Sequence, residues 1–120
     1  MIAGDPATRV QPGAQPAPRA TRASDLRLSI GPIQYFWPRD QVERFYADLA
    51  GQSPLAVYLG ETVCSKRREL DRSAWLEIGR MLASHGHEVL LSSLSLIEAG
   101  SELGACRRLV ENGEFTVEAN

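Results

Sequence analysis

The stretch Leu59-Gly60-Glu61-Thr62-Val63-Cys64-Ser65-Lys66-Arg67-Arg68 holds the densest chemistry in the chain: a carboxylate, a thiol and a run of cations. A thiol that loses its proton beside positive charge becomes a nucleophile or a metal ligand. Before it, Leu55 to Leu59 form an apolar run that Gly60 ends, the pattern of a strand buried on both faces. The loop then lies at the strand's carboxyl end, the rim on which parallel α/β folds place their chemistry. Cys64 is either a functional thiolate there or a small packed hydrophobe, as most free cysteines are. Glu61 either pairs with a neighbouring cation or serves as an acid or base, pairing being the commoner use.

Other polar candidates are scattered. His85 and His87 flank Gly86 between a helix and a strand, at the rim opposite Cys64, where a structural or exposed role is expected. Ser92-Ser93-Leu94-Ser95 shares the rim of Cys64, and its hydroxyls are expected to cap a helix or else to touch a substrate. No zinc motif and no Ser-His-Asp or Cys-His arrangement falls on one rim, which weighs against a hydrolase. The two cysteines, Cys64 and Cys106, are too far apart for a close-spaced zinc pattern, and a reduced, cytoplasmic chain is the natural expectation. With 13 basic and 15 acidic residues in 120, there is no general basic field for nucleic acid. No apolar run approaches the ~20 residues that span a bilayer.

These residues need a scaffold, and the hydrophobic periodicity supplies one. Leu26-Arg27-Leu28-Ser29-Ile30 alternates as a first strand and stops at Gly31-Pro32. Val42, Phe45, Tyr46 and Leu49 form one face of a helix that begins near Pro38 and ends at Gly51. After the second strand and the Cys64 loop, Asp71 or Ser73 caps a helix with Trp75, Ile78, Met81 and Leu82 inward. Glu88 to Ser92 form a third strand. Ala99, Leu103, Cys106 and Val110 then mark a third helix, so Cys106 is expected to be a packed core thiol. Asn112-Gly113 stops that helix, and Phe115 to Glu118 begin a fourth strand.

Strands alternating with helices in this way predict an α/β chain with a parallel sheet. If the strands lie in sequence order, right-handed crossovers put every helix on one face, as in a (β/α) barrel. A full barrel takes ~250 residues, so residues 26–120 correspond to the N-terminal half of a TIM-like barrel, about three βα units and a fourth strand. A small open doubly wound sheet is the alternative, but Gly31-Pro32-Ile33-Gln34 is no dinucleotide-binding loop. Residues 1–25 are different: Pro6, Pro12, Pro16 and Pro18 sit among Ala, Gly, Gln, Thr and Arg, with Ile2 and Val10 the only large aliphatics. This composition predicts a disordered extension.

Several separated motifs together carry a resemblance. Gly31-Pro32 with Tyr35-Phe36-Trp37-Pro38, Tyr58 to Arg68, Ser101-Glu102-Leu103-Gly104, and Val110-Glu111-Asn112-Gly113-Glu114-Phe115 fall in the order and spacing seen at the start of UbiV-like ubiquinone biosynthesis proteins. These belong to a peptidase-like family once grouped with bacterial collagenases, and the likeness runs from about Leu28 to Ala119. It implies a component of oxygen-independent ring hydroxylation, carrying a 4Fe-4S cluster on four cysteines. A UbiU-like sister protein and a UbiT-like lipid-binding accessory protein are the implied partners, and no nucleic acid is expected, although related family members modify RNA.

Cys64 falls on the first cluster cysteine of that pattern, whereas Cys106 matches none, and the other three positions lie beyond Asn120. Cluster irons are held by thiolates. Lys66, Arg67 and Arg68 would offset the cluster's negative charge or bind an anionic substrate group, the plain alternative being a solvated basic turn. Tyr35 and Trp37 either line a pocket for a prenylated ring or pack the barrel mouth. The wider family's label leaves a peptidase-like hydrolase as the alternative function. An inactive fragment is the third expectation.

Overall fold

The computed structural model describes residues 25–120. The expectation for the N-terminal extension therefore falls, except for Asp25, outside the described residues. The chain runs β1 (Ser29–Ile30), α1 (Arg39–Ala50), β2 (Ala56–Leu59), α2 (Arg72–Ser84), β3 (Glu88–Ser92), α3 (Gly100–Val110) and β4 (Thr116–Glu118). The strands form one sheet in the order β1-β2-β3-β4. Every neighbouring pair is parallel, with Val57 opposite Val89, Leu59 opposite Leu91, and Leu91 opposite Val117. A parallel sheet in sequence order, alternating with helices, is the arrangement of a partial TIM-like barrel.

The pleat explains where the core sits. Alternate residues point to opposite faces, and Val57, Leu59, Val89 and Leu91 are all buried on one of them. Against that face lie Val42, Tyr46 and Ala50 of α1 and Ala74, Ile78 and Leu82 of α2. Four aromatic rings join the two helices edge to face: Trp37 to Phe45 at 5.6 Å, Phe45 to Tyr46 at 5.1 Å, and Tyr46 to Trp75 at 6.2 Å between centroids. The Tyr46 hydroxyl pays for this packing, since it is buried with no hydrogen-bond partner among the described residues. Burial raises its pKa well above that of a free phenol.

Two expectations need correction. The first strand is only Ser29–Ile30, because it pairs with β2 alone and leaves Leu26 and Leu28 exposed. The third helix is rotated from its expected face. Leu103 and Val110 are 43% and 58% exposed, and Glu102, Cys106 and Leu109 turn inward instead, at i, i+4 and i+7. No residue of α3 is fully buried, so Cys106 is half-buried rather than a core thiol. Asn112 fixes the end of this helix: its Oδ1 accepts the N–H groups of Glu114 and Phe115, and its Nδ2 donates to the carbonyls of Leu109 and Phe115.

Candidate functional site

The loop from β2 to α2 is shaped by backbone groups before its side chains act. Gly60 leaves β2 at a φ of 137°, and a Cβ there would lie 2.5 Å from the Ser92 carbonyl oxygen. Only glycine fits both the dihedral and the close approach to β3. Glu61 then bends back on its own loop, its Oε1 accepting the N–H groups of Val63 at 2.8 Å and Cys64 at 3.1 Å. This corrects the expected ion pair, because within the described residues Glu61 has no cation partner. A carboxylate that organises two loop amides holds Cys64 in place. The Cys64 carbonyl accepts from the Arg67 N–H at 3.0 Å and closes the turn.

Neighbouring loops hold this one from both sides. Arg67 donates from Nη1 to the Gln34 carbonyl at 2.9 Å, and its guanidinium stands 5.8 Å over the Phe36 ring. The Ser95 N–H donates to the Thr62 carbonyl at 3.0 Å. Across to α3, the Ser65 hydroxyl donates to Glu102. Glu102 also accepts the N–H groups of Glu98 at 2.6 Å and Ala99 at 3.2 Å. The Ser65 hydrogen bond and then the Glu98 N–H hold the Glu102 carboxyl below its usual pKa, with Ala99 and Lys66 adding to the effect.

The expected hydroxyl caps are absent from this rim. Ser92 donates to Glu118 at 2.8 Å, while Ser93 receives the Asn120 N–H on its hydroxyl and the Asn120 amide on its carbonyl. These serines fasten the ends of β3 and β4. Ala99 is the N-cap of the third helix and has no side-chain cap hydrogen bond, while Glu102 accepts the N–H groups of Glu98 and Ala99 just before the helix. Asp71 does cap α2, accepting the Ala74 N–H at 2.8 Å. Trp37 is half-buried in the aromatic row, whereas Tyr35 is 77% exposed.

The histidines lie at the amino ends of the strands, as expected. His87 is buried, accepting the Leu55 N–H on Nδ1 at 3.1 Å and donating from Nε2 to the Ala50 carbonyl at 3.1 Å. It ties α1, β2 and β3 together. The exposed His85 stays near its own helix, within 2.8 Å of the Met81 carbonyl. Neither shares a rim with Cys64, so no Cys-His pairing forms between the two ends of the sheet.

Between the Cys64 loop and α3 opens a cleft of about 650 Å³. Leu59, Leu70, Trp75, Leu91 and Leu109 give it apolar surface, and Lys66, Arg67 and Arg68 stand at its loop wall. Cys106 lines this cleft and Cys64 does not. Sequence periodicity offered no sign of Arg72 and Arg108, which lie 36 positions apart and meet here, Arg72 Nη1 donating to the Arg108 carbonyl at 3.2 Å. Among the described residues, no three His, Cys, Asp or Glu side chains gather as a metal site. A four-iron cluster takes four thiolates and the chain has two cysteines, so these residues do not by themselves fit that group. Among the described residues no helix is long and apolar enough to cross a membrane. No family model matches the chain, and no solved structure matches it at a significant level.

Proposed function

We propose that this chain acts in oxygen-independent ubiquinone biosynthesis as a UbiV-like protein, with Cys64 as one thiolate of a 4Fe-4S cluster whose other ligands these residues do not supply. The observation that carries the proposal is the placement of Cys64, on a loop at the carboxyl rim of a parallel sheet with its amide held by Glu61. The motifs around it, from Gly31-Pro32 to Asn112-Gly113, support the same family. A UbiU-like sister protein is the proposed partner and a UbiT-like protein the proposed lipid-binding accessory. In this proposal the chain's own residues position the thiolate and supply positive charge beside it, from Lys66, Arg67 and Arg68.

The test uses a ubiquinone-making bacterium that lacks its UbiV-like protein and grows without oxygen. Carried in a reading frame that also supplies the three remaining cluster cysteines, this sequence is expected to restore ubiquinone, Cys106→Ser to retain that activity, and Cys64→Ser to lose it. Iron and acid-labile sulfide in the anaerobically purified protein should follow the same order. Failure of the unmodified gene, or equal loss in the two variants, would overturn the assignment.

A further inference from the structure

We infer that the cleft between the β2–α2 loop and α3 is a binding site for a small molecule carrying a phosphate or carboxylate on an apolar body. This does not depend on the cluster proposal, because Cys64 is outside the cleft. Its volume of about 650 Å³ lies within the roughly 300–1,000 Å³ of small-molecule sites.

The charges in the cleft are unevenly committed. Lys66, Arg67, Arg68, Arg72 and Arg108 all line it, and within the described residues none of them makes an ion pair with a carboxylate. The lining carboxylates are Glu61, Asp71 and Glu102. Each is engaged by backbone N–H groups, Glu61 by Val63 and Cys64, Asp71 by Ala74, and Glu102 by Glu98 and Ala99. Those acids are already turned to the protein's own amides. Among the cations, Arg67 and Arg72 are positioned by carbonyl oxygens, while within the described residues Arg68 and Arg108 have no side-chain hydrogen bond.

Five lining cations against three lining carboxylates leave the cleft with an excess of positive charge, and like charges gathered in a cleft repel one another. An anion relieves it. Two guanidinium forks, from Arg68 and Arg108, suit the paired oxygens of a phosphate or carboxylate. The lining favours an attached apolar group, since Leu59, Leu91, Leu109 and Trp75 share the cleft with these cations. The sheet and helices hold the site open: Gly60 locks the loop against β3, and Ser65 ties it to α3.

The experiment titrates the 120-residue chain with the fluorescent naphthalene sulfonate ANS, an anion on an apolar body. Saturable one-site binding is expected, and the uncharged N-phenyl-1-naphthylamine should bind at least about tenfold more weakly, the effect of one lost charge-assisted hydrogen bond. Arg68→Gln and Arg108→Gln should each weaken ANS binding by about tenfold on the same grounds, with the thermal midpoint unchanged. Arg107→Gln, on the same helix but outside the cleft lining, should have no effect. Ser101→Glu removes no contact and places a carboxylate at the cleft wall, so it should also weaken binding, which keeps the test decisive if an arginine variant unfolds. Displacement by inorganic pyrophosphate assigns a phosphate head group, and displacement by benzoate a carboxylate. Displacement by neither would overturn the inference, as would ANS binding that is indifferent to Arg68, Arg108 and Ser101.

Discussion

The Ser65 hydroxyl donates to the Glu102 carboxylate, joining a loop to the first turn of α3 across 37 positions of the chain. One partner belongs to the turn that carries Cys64, and the other opens α3. Through this contact the two walls of the cleft are held at a fixed separation, and the same carboxylate accepts the N–H groups of Glu98 and Ala99, just before the helix.

That geometry predicts an acid limb in the stability profile. The folded-state pKa of Glu102 is lowered, first by Ser65 and then by the Glu98 N–H, from the usual carboxyl value of 4.5. A depressed carboxyl pKa contributes stability that is complete above 4.5 and is lost as pH falls through the folded value. Thermal midpoints measured from pH 7 downward should therefore drop below that point. Glu102→Gln should lower the midpoint at pH 7 and flatten the drop; an unchanged acid limb would show that other carboxylates, such as Glu114 beside Arg80, dominate it.

Gly60→Ala is predicted to destabilise the chain by about 2–3 kcal/mol, the order of cost for a side chain forced into a sparsely populated dihedral. The φ of 137° and the 2.5 Å approach to the Ser92 carbonyl act together. Denaturant unfolding measures the cost. Gly86 has a positive φ but open space around it, so Gly86→Ala should incur only the dihedral part.

Tyr46→Phe is expected to be neutral or stabilising, by up to about 1 kcal/mol. It removes a hydroxyl that is buried without a partner among the described residues, and leaves the ring that packs between Phe45 and Trp75. Chemical denaturation of the two proteins compares them directly. A loss of more than about 1 kcal/mol, the net worth of an ordinary hydrogen bond, would mean that the hydroxyl has a partner after all.

Much of the scaffold was legible in the chain because its elements alternate cleanly. The spacing of Val42, Phe45, Tyr46 and Leu49 suits a helix, the short apolar run from Leu55 to Leu59 stopped by Gly60 suits a strand, and both elements formed where expected. The third helix was harder. Leu103, Cys106, Leu109 and Val110 share one stripe of about 120°, and contact with neighbours rather than periodicity selected its Cys106 and Leu109 side as the inner one. At the site, the Cys64 loop was visible as a polar break after a strand. The commitment of Glu61 to backbone amides was not, because nothing in residue type separates it from an ion pair. The Arg72–Arg108 juxtaposition depends on the sheet order and has no local signature.

The open face of the sheet carries the last prediction. Val57, Leu59, Val89 and Leu91 point toward the helices, which leaves Ala56, Tyr58 and Leu90 on the other side, with Tyr58 directly opposite Leu90. Both are only half-buried. Ser29, Glu88, Thr116 and Glu118 border them, all at exposed positions of their strands. Parallel sheets are normally covered on both faces, and unpaired strand edges invite another chain. The 120-residue chain should therefore self-associate at micromolar concentrations rather than remain a monomer. Leu90→Lys places a charge at the centre of this face without touching the helix-side core, and should shift the population toward monomer. Sedimentation velocity over a concentration series distinguishes the outcomes: a wild-type chain that stays monomeric throughout would show that this face needs no cover.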